Sequence, residues 1–327
     1  MNSSRRDFAR ALLGGLATQA VFAKPDSNFG GVQIGINAPY SFRRMHGSAE
    51  DVIRNMQELG LSSVEIRSQP IEHFLGGPVA IQGEERPQDA ARIYPGGFKR
   101  PTAQEDAADR SRLEAIRNWR RALPRKRFAE ARDKFRDAGI SIDVVKFDDL
   151  TNRVDAMADD EIDYCFEMTK ALGARAISCE PPVSKTRRLG SFALKHRLPV
   201  GYHGHLSKDP DEFSLPASWE RAAAFSPFNR VNLDIGHFTA AGGDALGFIR
   251  QHHDRITHIH LKDRKANDGP NLLWGQGDTP VKEVLQLMKK ERYGFPAVIE
   301  FEYAPPEGSS VMAEIAKCVQ FCKNALL

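Results

Sequence analysis

Eight short parallel strands alternating with helices and closing into one (β/α)8 barrel, with a long insert after strand 2, is the fold this sequence predicts. Three observations carry that expectation. Apolar segments of strand length recur from Val32 to Phe301, amphipathic stretches of helical period separate them, and polar groups of catalytic type mark the C-terminal ends of the last five. Alternating strands and helices imply a parallel sheet, and parallel strands covered on both faces read as near-continuous apolar runs. The strands are expected at Val32–Asn37, Ser63–Arg67, Ser141–Phe147, Ala174–Cys179, Pro199–His203, Arg230–Ile235, Ile256–Leu261 and Ala297–Phe301. Helices are expected at Ala49–Leu59, Asp160–Leu172, Asp244–His253 and Val281–Lys290, where apolar residues recur every three to four positions. An open doubly wound sheet is disfavoured, because Gly35-Ile36-Asn37-Ala38 after the first strand lacks the glycine-rich phosphate turn.

One connection is disproportionate. Between the second and third strands the chain runs from Ser68 to about Asp137, far longer than an ordinary β–α connection. Its first half, Gly76 to Thr102, is rich in Gly, Pro and charge; its second half, Arg110 to Asp137, has a helical pattern and many arginines. A lid over the barrel mouth is one reading of the insert (about 69–137). A solvated helix face, with Arg117, Arg120, Arg121, Arg125, Lys126 and Arg127 interleaved with Glu114, Glu130 and Asp133, is the plainer reading of the basic run.

Composition narrows the class. The 327 residues are 41% hydrophobic and 27% charged, with a net charge of +3, as in an ordinary globular domain and too balanced for a dedicated nucleic-acid binder. No apolar run approaches the roughly 20 residues that span a bilayer. Residues 1–23 stand apart: Arg5-Arg6, an apolar stretch from Ala11 to Phe22, and Val21-Phe22-Ala23 before Lys24 have the order of an export signal. The paired arginines match the twin-arginine type, which predicts a periplasmic enzyme occupying 24–327, with no stable membrane association once the signal is removed. The four cysteines (Cys165, Cys179, Cys318, Cys322) have no metal or disulfide spacing, and the Cys318/Cys322 pair reads as two small buried groups on one helix.

The chemistry sits at strand ends, where barrel active sites form because those loops converge on one face. Strand four ends in Glu180, strand five in Tyr202-His203-Gly204-His205, and strand six in Leu233-Asp234-Ile235-Gly236-His237. Strand seven carries His258-Ile259-His260-Leu261-Lys262-Asp263, and strand eight Glu300-Phe301-Glu302. Residues two apart on a strand share a face, so His203 projects with His205, His258 with His260 and Lys262, and Glu300 with Glu302. Asp234 lies in an apolar run, where an unpaired carboxylate is costly to bury and a cation removes the cost. Mixed imidazole and carboxylate donors suit Mn²⁺, Zn²⁺, Fe²⁺ or Co²⁺ better than Ca²⁺. Five consecutive strands delivering such a group at one level point to a metal site. His252 and His253, on a helix, and His73, in the insert, are expected to be structural.

In this order and spacing, these segments, together with Trp274-Gly275-Gln276-Gly277-Asp278-Thr279-Pro280 and Ile299-Glu300-Phe301-Glu302-Tyr303, resemble the xylose-isomerase-like TIM barrels. The likeness covers the whole mature chain and is strongest to exported members described as sugar phosphate isomerases/epimerases. In the epimerase relatives, Glu, Asp, His and Glu from strands five to eight hold one divalent metal ion. The resemblance therefore implies Asp234, His260 and Glu300 as ligands of one ion (Mn, Zn, Fe, Co or Mg), with His203 standing where those enzymes have Glu. It also implies a substrate contact for His237, an oxyanion or hydroxyl contact for Lys262, and a loop beside the pocket for Trp274–Pro280. Glu180 is an alternative source of the missing carboxylate, leaving His203 or His205 as base.

The activity so implied is a metal-dependent sugar isomerase or epimerase that moves a proton next to a carbonyl, with Glu180, His205, His237 and Lys262 as the catalytic set. The alternative is a lyase that eliminates the aglycone of a 3-keto-glycoside, which suits an exported protein and the loss of the carboxylate on strand five. An apurinic-site endonuclease on the same barrel would need three metals and a basic groove, and a non-catalytic sugar-binding protein would keep only a degenerate site. The expected partner is a small sugar or glycoside, not nucleic acid.

Overall fold

In a computed structural model, residues 24–43, 45–83 and 103–327 are described, with side chains from 109 onward in the last stretch. The twin-arginine segment and most of the Gly/Pro-rich half of the insert, where a lid was expected, lie outside the described residues.

Eight parallel strands close on themselves: β1 Val32–Ala38, β2 Ser63–Arg67, β3 Ser141–Lys146, β4 Ala176–Cys179, β5 Val200–His203, β6 Asn229–Asp234, β7 Ile256–Leu261 and β8 Ala297–Ile299. β1 closes the barrel by pairing with β2 (Gly35 opposite Ser63) and with β8 (Ile34 opposite Ala297). All eight expected strands are present. Several ends differ by one or two residues because helix or loop geometry takes over there: Ile235 starts the helix Ile235–Ala240, and Phe301 has left the sheet. The helix Ala49–Leu59 begins where the Ser48 side chain accepts the Asp51 N–H and stops at left-handed Gly60.

Between β5 and the outer helices lies an aromatic layer. Phe213 stacks on Tyr202 at 5.0 Å, and Trp219 packs against Phe213, Phe238 and Phe248. The Trp219 indole donates to the Tyr202 carbonyl at 2.9 Å, and a Cβ on Gly204 would meet its ring at 2.7 Å. Only glycine lets the chain turn under the indole between His203 and His205. His252 and His253 pack on Phe248 and Tyr293, so both are structural, and all four cysteines are buried and free.

The insert is helical at Ser68–Phe74 and Ala103–Ala122, and Phe128–Asp137 then buries Phe128, Ala131 and Phe135 as the crossover helix before β3. The basic run is not a uniformly solvated face. Arg120 is buried, its Nε donates to Glu72 at 2.7 Å, its Nη1 donates to Asp149 at 2.7 Å, and Tyr164 donates to the same Glu72 at 3.0 Å. Arg117, Arg121 and Arg125 pair with Glu161, Asp160 and Glu167 of the helix Asp159–Ala171. These partners lie beyond the insert's own sequence, which is why charge spacing missed them.

Removing one member of a buried ion pair strands the other. Arg120→Ala is expected to cost about 3 kcal/mol in urea unfolding. Burial raises the Asp149 pKa, but Arg120 outweighs it and holds the carboxyl below its ordinary value. Stability from that ionised group is therefore present at neutral pH and lost as the pH falls through the acid range. Asp149→Asn should lower the melting temperature at pH 7 and make little difference at pH 3.

Candidate metal centre and active site

Strands β5 to β8 bring four groups to one point. His203, Asp234, His260 and Glu300, all buried, each offer one donor atom, and these atoms lie within 4.8 Å of one another. His203 Nε2 is 3.9 Å from Asp234 Oδ2, and His260 Nδ1 is 4.0 Å from that oxygen and 3.3 Å from Glu300 Oε2. Three of these atoms, Asp234 Oδ2, His260 Nδ1 and Glu300 Oε2, are buried without a directional hydrogen-bond partner. Buried carboxylate oxygens need a positive partner, and the two here, converging from separate strands, fit a cation; the Lys262 ammonium lies beside both. Two carboxylates and two imidazoles are a donor set for a divalent transition metal.

The remaining atoms of these residues are held. Asp234 Oδ1 accepts the His237 N–H at 2.7 Å, capping the helix Ile235–Ala240, so the turn after β6 leaves only Oδ2 for the centre. Asn37 donates to Glu300 Oε1 at 2.9 Å. Asn232 Nδ2 lies 3.3 Å from His203 Nδ1 and donates to Ser178 at 3.1 Å, which turns His203 Nε2 toward the cluster.

Glu65, on β2, was missed by the sequence reading. It is fully buried, sits in close contact with His260 Nε2, and is 3.3 Å from His258 Nε2. A carboxylate behind a histidine fixes which nitrogen faces the metal. The signal that singled out Asp234, one acid inside an apolar strand, is present in Ser63-Val64-Glu65-Ile66-Arg67 as well. Burial raises the Asp234 pKa, pushing it up to about 7 against the pull of Lys262. Burial disfavours charge on His260, but Glu65 and Glu300 outweigh it and raise the ring to about 10. Burial and the neighbouring His260 hold His203 well below the usual imidazole value, leaving its lone pair free to bind metal.

Two flanks differ. On one, Lys146 Nζ, buried at the end of β3, is 3.0 Å from Glu180 Oε1, and Glu180 Oε2 is 3.3 Å from His205 Nε2. The His205 side chain is 47% exposed, and its ring lies 4.6 Å from that of His203 and 5.1 Å from that of His237. Lys146 carries no role in the sequence reading. Burial lowers its pKa, but Glu180 outweighs that and keeps it charged.

On the other flank, Lys262 Nζ donates to Glu302 at 2.8 Å and lies 2.9 Å from Asp234 Oδ2 and 2.6 Å from Glu300 Oε2. Tyr40 and Asn271 donate to Glu302 at 2.7 and 3.0 Å. His237 is bracketed by Lys262 (3.1 Å) and Arg264 (2.6 Å), and burial with these cations drives its pKa down to about 2, so the ring is neutral. The 274–280 loop is tied down because Asp263 accepts N–H groups from Gly275, Gly277 and Thr279. The structure therefore brings together all eight residues singled out from the sequence and adds Glu65, Lys146, Arg264, Tyr40 and Glu302 around them. Glu180 lies outside the four-residue cluster, engaged by Lys146 and beside His205.

Loss of the carboxylate behind a metal-binding histidine typically costs 10–100-fold in metal affinity. Glu65→Gln should weaken Zn²⁺ or Mn²⁺ binding by about that factor in calorimetric titration, while Glu72→Gln, remote from the mouth, should leave it unchanged.

Residues 109–320 match the xylose isomerase-like TIM barrel family. Among curated proteins, an inosose dehydratase of Lactiplantibacillus plantarum is 26% identical over 147 residues, covering 39% of this chain and 48% of that protein. An inosose dehydratase of Salmonella typhimurium is 27% identical over 135 residues, covering 36% and 44%. The chain thus spans about half the length of the curated relatives it matches. A solved structure of a 3-keto-D-glucoside 4-epimerase from E. coli superposes with a TM-score of 0.57 at 10% identity, covering 89% of this chain and 100% of that one, a likeness of fold. With a family match over more than half its length, a closed barrel and buried acid–histidine clusters at the barrel mouth, the chain belongs to the xylose isomerase-like TIM barrel family.

Proposed function

We propose that this enzyme is a divalent-metal-dependent lyase that eliminates water or an alcohol from a small keto-sugar or keto-cyclitol. One observation carries the reading: the two flanks of the donor cluster differ in access, with the half-exposed His205 imidazole on one side and the buried Lys262 ammonium, close against Asp234 and Glu300, on the other. Epimerisation at one carbon, part of the first expectation from the sequence, needs a second group to return the proton on the opposite face. Here the acids at the mouth are committed, Glu180 to Lys146, Glu302 to Lys262, Tyr40 and Asn271, and Glu300 to the cluster. The matches to inosose dehydratases, enzymes whose name describes loss of water from a keto-cyclitol, support the same choice.

A cation held by His203, Asp234, His260 and Glu300 would polarise the substrate carbonyl and acidify the adjacent C–H. His205, with Nε2 turned to Glu180, takes that proton, and the freed electron pair forms the C=C bond as the β C–O bond breaks. The same imidazolium then returns the proton to the departing oxygen, so water or an alcohol leaves and His205 is restored. Glu180 stabilises the imidazolium between the two transfers, and Lys146, 3.0 Å from Glu180 Oε1, holds that carboxylate in place. Lys262 donates to the oxygen that gains negative charge, and neutral His237, bracketed by Lys262 and Arg264, positions the lysine. We also propose that residues 1–23 export the enzyme to the periplasm, where N-terminal sequencing of the mature protein should begin at Lys24.

The test is a product assay with an inosose and with a 3-keto-glucoside. A dehydrated ring or a released aglycone, abolished by EDTA and restored by Mn²⁺ or Co²⁺, is the expected result. An unbroken skeleton that takes up solvent deuterium would instead mean isomerisation and overturn the lyase reading. His205→Ala should lower kcat by about 100-fold or more without changing metal content, whereas Asp234→Asn should lose metal and activity together.

A further inference from the structure

Asp234 Oδ2 and Glu300 Oε2 face two things at once. They are donor atoms of the four-residue cluster, and they are also the oxygens nearest the Lys262 ammonium, at 2.9 and 2.6 Å. The ammonium is thus shared among three carboxylates, with Glu302 Oε2, at 2.8 Å, accepting a well-directed hydrogen bond. The stem of Lys262 is fixed, since it passes so close to Gly236 that a Cβ there would lie 2.3 Å from Cγ. Freedom is left at the end of the side chain. From the same position the ammonium also touches Glu302 Oε2, at 2.8 Å, and His237 Nε2, at 3.1 Å, which lie on the side away from the two donor oxygens; Tyr40 holds Glu302 through Oε1 and Asn271 through Oε2.

A divalent ion bonded to both donor oxygens would draw off their charge and repel an ammonium only a few ångströms away, more strongly than in water because the surroundings are buried. We propose that Lys262 competes with the divalent cation for Asp234 and Glu300, so that metal uptake shifts its ammonium toward Glu302 and His237 and frees it to meet a substrate oxyanion. Loading the site and presenting Lys262 become one event, and in the metal-free enzyme the ammonium keeps the carboxylates from repelling each other. This inference rests on the metal reading above but not on the elimination chemistry.

Direction of effect separates this role from a structural one. A lysine that merely braces the site would weaken metal binding when removed, whereas a competitor would strengthen it. The full-length mature enzyme, stripped with EDTA, is titrated calorimetrically with Zn²⁺ and with Mn²⁺, alongside Lys262→Met and Lys262→Arg. Lys262→Met should bind metal at least tenfold more tightly than the parent, a change of about 1.4 kcal/mol, and Lys262→Arg should stay within threefold. The rise in melting temperature on adding Zn²⁺ should likewise be larger for Lys262→Met, which keeps the test readable if the metal-free variant folds poorly. Equal or weaker affinity in Lys262→Met, or a variant that stays unfolded in excess Zn²⁺, overturns the proposal. A parent enzyme that takes up neither metal overturns the metal reading itself, and a change of product class touches only the lyase assignment.

Discussion

Burying ionised groups in the barrel mouth is the constraint from which the rest of the structure follows. Asp234, Glu300, Glu65, His260 and Lys262 are all almost wholly removed from water, and an isolated charge there would be prohibitive. The barrel meets this by compensation at close range: Glu65 against His260, Lys262 against three carboxylates, and Asn37 and the His237 N–H on the oxygens that do not face the centre. What compensation leaves over is specific. Three such atoms, Asp234 Oδ2, Glu300 Oε2 and His260 Nδ1, converge with His203 Nε2 on one place, a donor set suited to a metal.

Such an arrangement works only if the strand ends cannot drift. The aromatic layer around Trp219 clamps the end of β5, the Asp234 cap sets the turn after β6, and Asp263 gathers three backbone N–H groups of the 274–280 loop. The Arg120–Glu72–Asp149 network does the same for the insert, joining its helices Ser68–Phe74 and Ala103–Ala122 to the segment after β3. Several of these devices are neutral contacts or backbone hydrogen bonds. They hold geometry without adding net charge to a mouth that already concentrates it.

The flanks give the site a direction. Lys146, Glu180 and His205 form a graded series from a buried cation to a half-exposed imidazole, a form suited to lending and recovering one proton. Across the centre, Lys262, Glu302 and Tyr40 form a hydrogen-bonded group suited to holding an oxygen. One proton-handling side and one charge-receiving side suit elimination, in which the proton and the departing oxygen can be served by the same base.

Apolar strand runs of period two and amphipathic helices of period 3.6 are local properties, so the eight strands, their parallel order and the long insert were legible in the sequence alone. So were His203, Asp234, His260 and Glu300, because a polar group at the end of an apolar strand stands out wherever the strand ends up. Partnership was not legible. Glu65 reaches His260 across 195 positions of chain, Asn37 reaches Glu300 across 263, and Arg120 finds Glu72 on another helix. Barrel closure alone sets β1 beside β8 and turns β2 inward across from β7, so pairing between distant residues depends on curvature and register that no local pattern encodes. The same closure decided that Glu180 would be held by Lys146 and lie outside the four-residue cluster.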